Sequence, residues 1–436
     1  MKSLRAGGGF TGQAVALTDR RVLWPWYAAE GLNSFAVVLA TNGVFFFARY
    51  ELHCAPATLL WFMVCGGAVY TAAALTGGRI LARIGQRKVL IATGVCTALI
   101  CLIGVAAVAF RSLTLLFLLV ALLNLSVTPG WPALESAITQ SPARMKLSTR
   151  ITLYNLGWSN SYFLALLVTG VLARWLTWSA VFIGAGLAAL ASVMVVRLVA
   201  IPQGLIGSRP MHHDDVDPVD AALIGSVRGR TLLNMARLSN LLAYVSLNSI
   251  MPIMAYLTYR AGFPYAEATA VGSIWGLARI AGFIGCWFWT GWHYRVRWML
   301  GGFFSLVVAT VMLIAVPSIG VLIGGQIILG LAAALVYAGS LYYSMHLSHG
   351  AGEHAGLHEA LIGVGTVVGP AVAALAGGPQ DMLPKGIALG AILLLGGAFL
   401  ARMGYRAAAA IPTGAAPDME LPQPGQELPA AIDRGR

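Results

Sequence analysis

Polar positions in this chain are confined to short intervals between long apolar runs. Runs of about 18–25 residues, the length that crosses a bilayer as a helix, fall at 25–48, 57–76, 89–109, 112–134, 151–173 and 178–200. They resume at 231–258, 266–290, 298–316, 319–345, 359–378 and 384–405, with Pro317 dividing the ninth run from the tenth. The pattern predicts an all-α integral membrane protein with twelve transmembrane helices in two six-helix bundles. The expected divisions are a cytoplasmic N-terminal segment (1–22), a first bundle (23–200), a cytoplasmic linker (201–230), a second bundle (231–406) and a disordered cytoplasmic tail (407–436). The linker carries Pro202, Gly204, Gly207, Pro210 and the run HHDDVD, all turn and loop chemistry. The tail is rich in Ala and Pro and has little to bury. An offset of about 208 residues carries the fifth run onto the eleventh and Gly157 onto Gly365, so the halves read as a parallel repeat, the layout of a rocking transporter with its site near the midplane.

Composition agrees with lipid as the solvent. The 436 residues are 58% hydrophobic and 10% charged, against roughly 25% charged in a soluble domain. A net charge of +12 could mean nucleic acid, but the placement of the basic residues decides otherwise. With the N-terminus in the cytoplasm, 21 of the 28 Lys and Arg fall on the cytoplasmic side. Five, Arg49, Arg111, Arg174, Arg260 and Lys385, fall outside, and Arg237 and Arg279 lie within spans. That asymmetry is the positive-inside pattern and places both termini in the cytoplasm, in a cell inner membrane. The first twenty residues hold no apolar core of a cleavable signal peptide. The cysteines, Cys54, Cys65, Cys96, Cys101 and Cys286, have the spacing of neither a disulfide framework nor a zinc site.

Between the second and third runs the chain reads GGRILARIGQRKVL, residues 77–90. Gly78, Arg83, Gly85 and Arg87 match the signature G-x-x-x-D-R-x-G-R-[RK] of the major facilitator superfamily of secondary transporters. Ala82 stands where that signature has Asp, and Gln86 where the first of its closing basic pair belongs. The fifth and eleventh runs also look like the corresponding helices of bacterial members, and the resemblance covers about residues 22–405. It implies a transporter that moves a small solute by alternating access, with helices one, four, seven and ten lining the cavity. In the family the Asp is thought to face a helix dipole across the interface of the halves. Ala82 cannot do this, and Glu359, near the start of the eleventh run, could supply charge to that helix end instead. Gly78 and Gly85 are expected to permit a tight turn and close helix approach.

Charged groups inside spans are the sharpest candidates, because an Arg at mid-helix costs about 2.5–3.5 kcal/mol on insertion scales. Arg279 lies about ten residues from either end of its run, roughly 15 Å deep, and Arg237 about seven residues in, roughly 10 Å. Both read as candidates for substrate contact or gating, against a structural partner for Arg279 and snorkelling for Arg237. Asn234, Arg237, Tyr244 and Asn248 share one face of the seventh run, with Asn240 at its edge. The first run offers Glu30 and Asn33, then Thr41 and Asn42. Glu30 binds a proton, pairs with an Arg across the cavity, or sits near headgroups. Asn124 and Trp131, Asn155 and Asn160, and Gln326, Tyr337 and Tyr342 complete a polar and aromatic set, each also readable as helix packing. Two interior arginines against one clear acid favour an anionic or polar solute over a cation.

His346, His349, His354 and His358 read as a polar cytoplasmic loop rather than a metal site, as does the run from His212 to Asp215. GVGTVVG at 363–369 reads as close helix packing rather than a dinucleotide loop, with Pro370 kinking the helix after it. Nucleotide-binding and hydrolase motifs are absent from the sequence, so an enzyme and a cofactor are not expected. The expected unit is a monomer in the lipid bilayer, whose partners are a small-molecule substrate and protons, without nucleic acid or metal. A transporter-shaped sensor or assembly factor stays open, as does multidrug efflux, although the fifth run lacks the Gly-Pro pair of the family's antiporter motif.

Overall fold

The computed structural model describes residues 11–139, 145, 147–198, 226–347 and 352–409. Twelve helical stretches among them are long and apolar enough to cross a membrane. In chain order the helices are α1 Thr11–Tyr50, α2 Pro56–Ile84, α3 Gln86–Ala109, α4 Leu113–Val127, α5 Gly130–Thr139, α6 Leu147–Trp175 and α7 Trp178–Leu198. The second half holds α8 Val227–Arg260, α9 Tyr265–Gly272, α10 Ile274–Phe288, α11 Val296–Ala315, α12 Ile319–Leu347, α13 Gly352–Leu375 and α14 Met382–Ala409.

Local chemistry sets the ends. Pro56 opens α2, where its missing N–H costs nothing. Ser112 and Ser226 cap α4 and α8 by accepting from the N–H groups of Leu115 and Gly229. The Ser226 cap starts α8 at Val227, inside the stretch expected to be linker, and the linker up to residue 225 lies outside the described residues. So do residues 1–10 and the tail from residue 410, while the helix of the N-terminal segment begins at Thr11.

Two spans expected to be continuous are broken. The fourth is α4 plus α5, interrupted at Thr128 and Pro129, where the proline removes a donor and crowds the preceding turn. Its second part runs to Thr139, beyond the expected end at 134. The eighth is α9 plus α10, interrupted at Ser273, whose hydroxyl donates back to the Ala270 carbonyl 2.7 Å away.

The basic turn is a single residue. Gly85, with φ +87 and ψ 151, ends α2 and starts α3, a conformation that strains any side chain. Gly78 differs from expectation: it lies within α2, and among the described residues nothing lies within 4 Å of a Cβ there, so no described helix approaches it. Ala82 and Arg83 are exposed, and Arg87 donates to the carbonyl of Arg197 at the end of α7.

Helices α1–α7 form one bundle and α8–α14 the other, and two seams join them. In the first, α2 packs against α13: a Cβ on Gly67 would lie 2.8 Å from Thr366 Cγ2, and one on Gly363 would lie 3.0 Å from Thr71 Cα. In the second, α6 packs against α9 and α10, with Gly170 against Thr269 and Gly276 against Phe163. The GVGTVVG run does pack closely, since Cβ atoms on Gly365 and Gly369 would collide with backbone oxygens of α8. Helix α13 continues through Pro370 to Leu375. Leu99, Leu187, Leu395 and Phe399 stand on the outside, an apolar face suited to acyl chains.

Candidate functional site

A cavity of about 240 Å³ lies between the bundles and takes its wall from both. Helix α1 contributes Glu30, Ser34, Val37, Val38, Thr41 and Phe45, which recur at the three- and four-residue steps of one helical face. From α2 come Met63, Gly66, Gly67 and Tyr70, and from the broken fourth span Val120, Asn124 and Trp131. Tyr154, Trp158 and Tyr162 follow one another at four-residue steps on α6. The second bundle supplies Tyr244, Asn248 and Met251 from α8, Tyr337 from α12, and Glu359, Ile362 and Thr366 from α13.

Its ionisable side chains are two carboxylates and five phenols. Glu30 is 1% exposed, and its Oε1 accepts from Ser34 Oγ, one turn on, at 3.0 Å. Glu30 Oε2 is buried without a hydrogen-bond partner. Glu359, 4% exposed, accepts from the hydroxyl of Tyr70 across the α2–α13 seam. Glu135 of α5 is a third buried carboxylate and does not line the cavity. Among the described residues no Lys or Arg is in ion-pair contact with Glu30 or Glu359. Glu359 therefore differs from expectation: it lies seven residues into α13 and faces the cavity, instead of serving the helix end.

Arg279 stands behind the wall. It is 4% exposed, its guanidinium carbon lies 4.2 Å from the ring centre of Trp158, 4.3 Å from Trp275 and 5.0 Å from Tyr162, and its Nε donates to Ser159 Oγ at 3.3 Å. These rings supply the negative face that a buried cation needs in place of a carboxylate. Asn155 acts on the same group, since its Oδ1 accepts from Trp158 Nε1 at 3.1 Å and fixes the indole that lines the cavity. Asn248 Nδ2 donates to Thr366 Oγ1 at 2.6 Å, tying two wall residues from different helices.

Other candidates lie elsewhere. Asn33 and Asn240 are buried outside the wall, and both side-chain polar atoms of Asn240 lack a partner. Gln326 is used within its bundle, bonding the Leu322 carbonyl and the Trp275 N–H. Arg237 is half-buried on the α8 face but does not line the cavity, and Asn234 and Asn160 are exposed. His358 is not in a loop: it is 2% exposed within α13, its ring 5.8 Å from that of Tyr337. The side chains of His346, His349 and His354, and all of 212–215, lie outside the described residues. Among the described residues no cluster of ligands could hold a metal ion. The reckoning of two arginines against one acid is thus reversed in the wall itself, where two acids face no base among the described residues.

At the end carrying the α1–α2 and α8–α9 turns, the bundles meet. Tyr50 Oη donates to the Phe263 carbonyl at 2.9 Å, and Arg174 pairs with Glu267 at 3.2 Å. Arg49 lies 4.0 Å over the ring of Tyr259, and the N–H of Ala57 donates to the Pro379 carbonyl.

Comparison with known proteins agrees with this architecture. No curated protein is similar enough in sequence to match. Among solved structures, the nucleoside transporter NupG superposes with a TM-score of 0.59 at 14% identity, covering 89% of this chain and 98% of its own. The human organic anion transporter MFSD10 (TETRAN) superposes with a TM-score of 0.59 at 16% identity, covering 88% of this chain and 99% of its own. Likenesses at such identity establish the fold and not the solute. The family description Major Facilitator Superfamily matches residues 10–370. The chain is therefore a member of the major facilitator superfamily, a multi-pass membrane protein that moves a small solute by alternating access as a secondary transporter.

Proposed function

We propose that the solute binds in the cavity between the bundles and that Glu30 and Glu359 carry the coupling proton. The observation behind this reading is that one buried carboxylate from each bundle lines the same space, each held by a neutral hydroxyl and, among the described residues, neither by a base. A bare carboxylate in a low-dielectric interior is costly, and a proton or a bound cation relieves that cost. Tyr244, Asn248 and Tyr337 contact the solute directly, while Asn155 and Arg279 hold the Trp158 ring in place. The transporter sits in the inner membrane as a monomer with both termini in the cytoplasm, a reading supported by the 21 basic residues that fall on that side. The ends joined by Tyr50–Phe263 and Arg174–Glu267 then face outward.

The test is transport in proteoliposomes enclosing a pH dye, using solutes that raise the melting temperature of the purified protein. Proton movement should accompany solute movement in the parent and vanish in Glu30→Gln and Glu359→Gln. Solute movement without any proton movement in the parent would rule out proton coupling.

A further inference from the structure

The wall of the cavity also specifies a class of solute. Its only described groups that ordinarily carry a full charge at neutral pH are the carboxylates of Glu30 and Glu359, and no Lys, Arg or His is among the described lining residues. An anion entering this space would meet two acids and no fixed cation. A cation would lower the energy of both carboxylates, whose polar contacts are so far one hydroxyl each.

The rings point the same way. Tyr154, Trp158, Tyr162, Tyr244 and Tyr337 present aromatic surface to the same space, from both bundles. Aromatic faces attract ammonium groups, most strongly where water is excluded. The molecule already holds one cation in this manner, since Arg279 is buried among Trp158, Tyr162 and Trp275 with no carboxylate in ion-pair contact among the described residues. That arginine donates its Nε to Ser159 and is not among the cavity-lining residues, while its Nη2 is buried without a hydrogen-bond partner.

The wall is also polarised along the helix axes. Glu30 and Phe45 are fifteen residues apart on α1, about 22 Å at 1.5 Å per residue. Counted along the helices to a depth similar to that of Phe45, the wall carries Met63, Val120 and Met251, all apolar. One end of the space thus carries the acids and the other carries hydrocarbon.

We propose that the transported solute is an organic cation, with one ammonium-type head held by Glu30 and Glu359 among the rings and an apolar or aromatic body directed toward Phe45. This rests on the reading of the cavity as the transport site. The test measures binding to the purified full-length protein by thermal shift and titration calorimetry. Benzyltrimethylammonium and phenylethylammonium serve as cations, phenylbutanoate as an anion of similar shape, and uridine as a neutral polar solute. The cations should bind, the other two should not, and Glu30→Gln and Glu359→Gln should each weaken cation binding about tenfold or more. Glu30→Asp, which keeps the charge, should retain most of it. Elution on size exclusion and melting without probe show that each variant is folded, and the two glutamates test the idea independently. Binding of phenylbutanoate or uridine in place of the cations, lost in Tyr244→Ala, would keep the cavity and overturn the cation. Failure of both cations to bind would overturn it as well. Cation binding untouched by both Gln variants and by Tyr244→Ala would place the site elsewhere and overturn the reading of the cavity.

Discussion

A guanidinium among three aromatic rings, at a seam between moving bodies, has a structural task before it has any other. Arg279 reaches from α10 to Ser159 on α6 and packs on rings from both helices. Its removal should cost about 2 kcal/mol, the worth of a desolvated cation–π contact, and should free Trp158 to turn. Arg279→Ala is therefore expected to lower the melting temperature and weaken solute binding together. Arg279→Lys should restore only part of both, because an ammonium keeps the charge but not the planar stack. Unchanged melting and binding in both variants would remove this role. The sequence marked Arg279 as unusual through its depth alone, and could not say whether it faced the solute or the seam. Glu30 was legible because it interrupts an apolar run and shares a helical face with Thr41. Glu135 was not, because the expected fourth span stopped at 134, and only the extension of α5 to Thr139 buries it. Glu359 was read as a helix-end charge because a polar stretch precedes it.

At the scale of helices, α13 is the most constrained element. Its glycines approach α2 on one side and α8 on the other, while Glu359, Ile362 and Thr366 line the cavity. A side chain at Gly67 would press on Thr366, which also receives the bond from Asn248. Gly67→Val should cost about 1–3 kcal/mol as overpacking and should sharply reduce transport in proteoliposomes, with the protein still inserted in the membrane. Transport at the parent rate would show that this seam yields without disturbing the wall. The twelve spans themselves were readable from hydropathy, since lipid demands uninterrupted apolar length. The breaks at Pro129 and Ser273 were not, because glycine, serine and proline are tolerated inside membrane helices and leave the hydropathy of a run nearly unchanged.

For the whole molecule, the contacts at the α1–α2 and α8–α9 end decide which side the cavity can open to. The Arg174–Glu267 pair is half exposed on both partners, 52% and 47%, so it adds little stability, about 0–1 kcal/mol. Its value lies in joining two bundles that must part. Tyr50→Phe combined with Arg174→Ala should leave melting nearly unchanged yet favour opening at that end. In a background with its five cysteines replaced, a cysteine placed at Met251 should then react faster with an impermeant maleimide added outside. Equal rates would show that these contacts do not hold the end shut. The acid-lined wall also bears on electricity. A charge carried through the membrane field is worth about 2.3 kcal/mol per 100 mV. With one cationic head and one proton shared between Glu30 and Glu359, the loaded wall has no net charge of its own and its step through the field is indifferent to voltage. Stripped of both, it carries two negative charges, so the empty carrier is the form on which membrane voltage pulls.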